Sequence, residues 1–215
     1  MGRLAEQLSG PPEEIALRLL GAVVRHGDVA LRLTEVEAYA GAGDPGSHAY
    51  RGRRVRNATM FGPAGRLYCY LSHGIHVCAN ITVGEEHGPG AVLMRAGEVV
   101  DGIDVARERR PGAPDRDLTR GPGRLGKALG LLLTHDGTDL DRGPVRLELP
   151  AAPVPPSNVR TGPRTGLRLA SERPWRFWIE GEPTVSPYRR HPRAEGPLEP
   201  SVEASVEPAE PPTEA

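Results

Sequence analysis

The segment AVVRHGDVALRLTEVEAY, residues 22–39, constrains the fold more than any other stretch. Two apolar, β-branched runs flank Gly27-Asp28, the signature of a tight turn between antiparallel strands. On a strand, residues two apart share a face. Val29, Leu31, Leu33, Glu35, Glu37 and Tyr39 therefore line up together if no bulge intervenes. An apolar face that ends in two carboxylates and a tyrosine either leaves the core or enters a cleft. Taken alone, such a pattern is more often a strand end in solvent.

Further strands surround this hairpin. RLYCYLS and IHVCANITV sit either side of His73-Gly74, AVLMRAGEVV follows, and PVRLELP and WRFWIEG come late. Residues 1–20 read as helical: Pro11 and Pro12 suit a first turn, Glu13 and Glu14 favour the positive end of the dipole, and IALRLL supplies an apolar face. DGIDVARERR, starting near Asp101, and GRLGKALGLLL read as two more helices. Ala151 to Pro163 is Pro-rich and reads as irregular. No repeat period appears. The expected fold class is α+β: a single mixed domain over 1–191, with a curved, largely antiparallel sheet flanked by helices. Residues 192–215 are rich in Pro, Glu and Ala and lack aromatics. They cannot bury enough surface to offset their ordering entropy, so a disordered acidic C-terminal tail is expected.

Charge divides along the same boundary. The formal net charge is −1, but Glu195 to Ala215 holds six glutamates and no Lys or Arg. Setting those six aside turns −1 into +5 for residues 1–194, a basic body compatible with a polyanion. The cations are 26 arginines and one lysine, Lys127. Cys69 and Cys78 fit no metal spacing and no disulfide framework, so a reducing compartment is the default. The N-terminus lacks the apolar stretch of a signal peptide, and no run approaches membrane-spanning length. A cytoplasmic protein is expected.

Three features bear on the carboxylates of the hairpin. Tyr68 and Tyr70 share one face of their strand, opposite Leu67, Cys69 and Leu71. His48 sits in a glycine-bracketed loop. Arg95 ends the run AVLMR on the face of Ala91 and Leu93, where it either emerges to solvent or pairs with a buried carboxylate. Singly, each has an ordinary structural explanation: half-buried tyrosine packing, a surface histidine, a solvated arginine.

Together the string EAY…H…GRR…RN…MFGPAGRLYCY…HG…CAN…LMRA resembles the alkyladenine (3-methyladenine) DNA glycosylase family of eukaryotic-type fold. RGPGRLGKALG at 120–130 and RTGLRLASERPWRFWIEGEPTVS at 164–186 continue the likeness, which spans roughly residues 10–190. The family hydrolyses the N-glycosidic bond of alkylated or deaminated purines after flipping the nucleotide out of duplex DNA. The resemblance implies that Glu37 is the general base that activates water and that Arg95 helps hold that water. It implies that Tyr39, His48 and Tyr70 sandwich the flipped base, and that Asn80 disfavours the exocyclic amino group of guanine. Arg53 and Arg56 match the DNA-contacting loop, where arginine suits phosphate oxygens.

His73 departs from the family pattern, which has a wedging tyrosine there. A smaller imidazole is expected to hold the extruded state less firmly. Lysine scarcity implies a monofunctional enzyme that leaves an intact abasic site, since strand nicking generally needs an amine for a Schiff base. No cofactor and no metal are expected. Glu35, Glu37 and His48 lack any metal-site spacing, and His26, His76, His87, His135 and His191 have no partner spacing. The implied partner is duplex DNA containing damaged purines, the implied state a monomer, and the implied setting a nucleoid-associated cytoplasmic pool. A non-catalytic damage-binding protein remains the alternative, with His73 as the reason. A metal-dependent hydrolase of a small nucleoside is a third reading, which the arginine cluster and the aromatic row do not favour.

Overall fold

The computed structural model describes residues 2–84 and 88–195. Its centre is an all-antiparallel sheet whose strands run in the order β3 (Leu67–Ser72), β4 (His76–Thr82), β5 (Ala91–Asp101), β2 (Val29–Tyr39), β1 (Val23–His26), β6 (Val145–Glu148). The sheet curls into a half-barrel. Strand β2 has eleven residues, long enough to serve two neighbours on one edge. Its first half pairs with β1 from His26↔Val29 to Val23↔Arg32, and its second half pairs with β8 (Arg176–Ile179) from Glu35↔Trp178 to Glu37↔Arg176. Strand β7 (Val159–Gly162) covers the far side of β8.

A bulge does intervene in β2. The register against β5 runs Leu33↔Gly97, Glu35↔Ala96, Val36↔Met94, leaving Thr34 and Arg95 without an opposite number. One unpaired residue on each strand reverses the alternation of both. Before the slip, Val29, Leu31 and Leu33 enter the main core. After it, Val36 and Ala38 take over with Val92 and Met94. Glu35, Glu37 and Tyr39 are thereby released from the face of Leu31 and Leu33, which answers the sequence pattern. Thr34 is itself buried, its Oγ1 2.8 Å from that of Thr184.

Helices close the core. Residues 2–20 hold two helices rather than one, α1 (Arg3–Gln7) and α2 (Pro12–Leu19). Gly10, at a φ of 152°, donates its N–H to Val83 O between them, and Pro11 caps α2. Ile15, Ala16 and Leu19 of α2 are buried. Helix α3 (Ile103–Arg109) begins after Gly102, because β5 runs on through Asp101. Helix α4 (Pro122–Leu129) stops at Gly130, which is left-handed at φ 71°, so Leu131–Leu133 leave the helix. Gly126 lets α4 lie directly on β4: a Cβ there would meet Val77 O at 2.1 Å.

The segment 151–163 is not wholly irregular. Arg160 and Thr161 on β7 pair with Trp178 and Phe177 of β8, a pairing that local composition does not announce. The fold also gives His26 and His135 the neighbour their spacing hid, with ring centroids 4.6 Å apart. Cys69 and Cys78 are buried free thiols. Of the Pro/Glu/Ala-rich segment, residues 192–195 are described. The tail beyond them, and His87, lie outside the described residues. Among the described residues no helix is long and apolar enough to cross a membrane.

Candidate active site

The face released by the bulge carries a buried ionic cluster. Arg95 donates from Nε to Glu35 Oε1 at 2.9 Å, from one terminal nitrogen to Glu37 Oε2 at 3.2 Å, and from the other to Ser186 Oγ at 3.2 Å. Arg176 donates to Glu35 Oε1 at 2.6 Å and to Ser186 O at 2.6 Å. The Ser186 amide and hydroxyl both donate to Glu35, at 2.7 and 2.9 Å. Both glutamate side chains are fully buried. Burial pushes the Glu35 carboxyl up, but Arg95, Arg176 and the Ser186 amide outweigh it and hold it below the usual carboxylate range. Burial likewise opposes the charge of Arg95, and Glu37 and Glu35 outweigh that opposition, so its guanidinium stays protonated. Removing one partner from such a cluster strands a charge and costs about 3–5 kcal/mol.

Glu37 has a different set of donors. Tyr39 Oη donates to Oε2 at 2.8 Å, and the Thr165 N–H donates to Oε1 at 2.7 Å. Tyr39 also lines a recess with Gly46, His48, Met60, Tyr68, Tyr70, Asn80 and Leu167. The sheet supplies Tyr68, Tyr70 and Asn80 from β3 and β4. The rings of Tyr68 and Tyr70 stack at 5.9 Å, and His48 meets Tyr70 edge-on at 4.6 Å. His48 Nδ1 lies 2.9 Å from Tyr68 Oη, and Asn80 Nδ2 donates to Tyr68 O at 3.1 Å. Burial, helped by Arg56, pushes the His48 pKa down, so its ring is neutral at pH 7. Burial raises the Tyr39 and Tyr70 phenols, and Tyr68 to about 12, so all three keep their protons.

The recess thus gathers Tyr39, His48, Tyr70 and Asn80, with Glu37 and Arg95 beneath Tyr39. His73 lies outside it, in an adjoining groove shared with Val55, Arg56, Leu71 and Leu133. His48, Tyr68 and Tyr70 line both. His73 occupies the hairpin tip in a left-handed conformation, φ 51°, its Nδ1 3.0 Å from Ser72 Oγ. Arg53 is exposed on the same loop as Arg56 and lines neither cavity.

Several contributors carry no local sequence signal. Arg164 is fully buried and donates to both Asp44 oxygens at 2.6 and 2.7 Å, and to Ala38 O and Ala170 O at 3.0 Å each. Its guanidinium sits 4.7 Å from the Tyr39 ring centroid. Asp44 also accepts the Ala40 and Gly46 amides, so one ion pair fixes the loop that carries His48. A Cβ on Gly46 would meet Arg164 and Leu167 atoms at 2.8 Å. Asn57 holds the arginine-rich loop, donating to His48 O at 2.8 Å and Gly52 O at 3.1 Å while accepting from Arg54 N at 2.6 Å. Among the described residues no three His, Cys, Asp or Glu side chains gather to hold a metal ion.

Comparison with known proteins gives the chain a family. The family model for methylpurine-DNA glycosylase matches residues 6–183. A protein of Nocardia farcinica named "Putative 3-methyladenine DNA glycosylase" is 55% identical over 199 residues, 89% of this chain and 93% of its own. Proteins of the same name from Leifsonia xyli subsp. xyli and Streptomyces avermitilis are 53% and 49% identical, covering 85% and 86% of this chain and 91% of each relative. The chain therefore belongs to the methylpurine-DNA glycosylase family.

Proposed function

We propose that the protein is a monofunctional DNA glycosylase that flips alkylated or deaminated purines out of duplex DNA and hydrolyses their N-glycosidic bond. It leaves an abasic site for base excision repair. The observation that carries this reading is the position of Glu37, a carboxylate without solvent exposure joined through Tyr39 to an aromatic recess and through Arg95 to a cation. A flipped purine stacks on Tyr39, His48 and Tyr70, and a methylated, cationic purine is drawn further to the phenol rings. His48, neutral at pH 7, does not repel that charge. Asn80 stands at the wall and clashes with the amino group of guanine.

With the base held, Glu37 accepts a proton from water as an oxocarbenium-like sugar develops, and its charge stabilises that sugar. Arg95, which donates to Glu37 at 3.2 Å, orients the water. Arg56 and Arg53 contact phosphate oxygens. His73 fills part of the space the nucleotide leaves. Lys127 is exposed on α4 and lines none of the cavities described above, which supports base release without a Schiff base. A monomer acting in the cytoplasm, on nucleoid DNA, completes the reading, with residues 1–191 as the catalytic domain and 192–215 as a disordered tail.

The test uses duplexes that carry methylated purine, hypoxanthine or ethenoadenine, followed by alkaline cleavage of abasic sites. Breaks from the wild-type protein that persist with chelator and fall at least a hundredfold in Glu37→Gln are expected. Binding without breaks would make the chain a damage-binding protein instead.

A further inference from the structure

Leu167 is half-buried and lines the aromatic recess, yet it belongs to neither of the two buried apolar clusters. An aliphatic side chain that joins no core and faces a cavity leaves apolar surface for a ligand to cover. It stands on the segment 164–171, which is pinned at both ends. The Arg164 N–H donates to Ser171 O at 3.2 Å, and its guanidinium reaches Ala170 O and the Asp44 carboxylate. Between these ends the Thr165 N–H donates to Glu37 Oε1 at 2.7 Å, and Gly166 turns the chain at a φ of 72°. Leu167 then lies across Gly46, so closely that a Cβ there would meet its Cδ1 at 2.8 Å. The backbone two residues before it thus holds this side chain in register with Glu37.

Stacked rings cover the faces of a flat ligand, so the remaining wall meets its edge. With Tyr39, His48 and Tyr70 on the faces, the edge of a purine falls to Gly46, Met60, Tyr68, Asn80 and Leu167. The first four are committed elsewhere. Met60 and Tyr68 are buried in the second apolar cluster, the Asn80 amide donates to Tyr68 O, and Gly46 has no room for a Cβ. Of the five, only Leu167 can be resized without disturbing packed neighbours. Its chemistry also suits the lesions. An N-methyl group or a fused etheno ring adds carbon in the plane of the purine. Such carbon needs an apolar wall, because a polar one would be left unpaired against it.

We propose that Leu167 sets how far a modified purine can extend in its own plane. It gives a methyl or etheno carbon an apolar surface and stops bulkier adducts. The inference rests on the glycosylase reading above.

The test compares Leu167→Phe, which fills the edge, with Leu167→Ala, which opens it. Leu167→Met conserves volume and serves as control. Single-turnover base release is measured on duplexes with hypoxanthine, which carries no added carbon. It is measured also with ethenoadenine, 7-methylguanine and 3-methyladenine, whose added carbons lie on three different edges. Each rate is divided by that for hypoxanthine, so a general loss of folding or duplex binding cancels. In Leu167→Phe the ratio should fall about tenfold or more for at least one of the three, which identifies the edge that Leu167 meets. In Leu167→Ala a bulkier homologue of that lesion should gain about tenfold on the lesion itself. Leu167→Met should keep the wild-type ratios. Wild-type ratios in Leu167→Phe, or wild-type discrimination by size in Leu167→Ala, would overturn the proposal. If the wild-type chain releases none of the four bases, the glycosylase reading falls and takes this one with it. If it releases them and size discrimination does not move, only the role of Leu167 is lost.

Discussion

Glu35 and Glu37 stand two positions apart on one strand, yet their partners give them different work. Glu35 accepts from Arg95, Arg176 and Ser186, and every donor around it is buried. It anchors the cluster. Glu35→Gln leaves two guanidiniums short of an anion and is expected to destabilise the fold by about 3–5 kcal/mol, measured as a fall in the urea midpoint. The pH dependence has a definite sign. The folded Glu35 pKa lies below its unfolded value, so its contribution is present above the unfolded value and fades as pH falls through the folded one. Stability should therefore fall less steeply with acid in the Gln variant than in the wild type. Sequence reading picked out Glu37, Arg95 and the aromatic row through resemblance to a family. It assigned no role to Arg164, Asp44 or Arg176, although both arginines lie in the matching stretch 164–186, since a buried arginine and a solvated one look alike until a partner from more than a hundred residues away is placed beside it.

At the scale of elements, the strands and the hairpin turn were legible because period-two apolar runs and Gly27-Asp28 are local signals. The slip at Thr34 and Arg95 was not, because it exists only in the pairing of two strands. Strand β7 was hidden for the same reason: its stability comes from β8, not from its own Pro-flanked sequence. The β3–β4 hairpin carries a test of its own. Its tip presents His73, and beside it Ile75 is 72% exposed while Val55 across the groove is 99% exposed. A bare apolar tip next to Arg56 suits insertion into a base stack. His73→Tyr adds stacking area, and a gain of about 1.4 kcal/mol would tighten binding to lesion duplex roughly tenfold. Direct titration of the two proteins checks this, and equal dissociation constants would rule it out. Because φ at this position is 51°, the tyrosine variant should also lose a little thermal stability.

Over the whole molecule, charge is partitioned by chain position. The body to residue 194 is net positive, and the acidic residues that balance it cluster at the C-terminal end. If the tail competes with DNA for the arginines, removing residues 196–215 should raise duplex affinity most at low salt. The difference should shrink as ionic strength rises. Superimposable salt titrations for the two lengths would discard the idea. The paired slip in β2 and β5 has a separate consequence for how this molecule can change. Were Thr34 paired in the ladder rather than bulged out of it, strict alternation from Leu33 would turn Val36 toward the reactive face and Glu37 toward hydrocarbon. Deleting Thr34 and Arg95 together would give an even ladder with every remaining side chain on its present face, but without the guanidinium that Glu35 and Glu37 share. The extra residue thus acts as a phase switch: hydrocarbon takes the odd positions of β2 before it and the even positions after it.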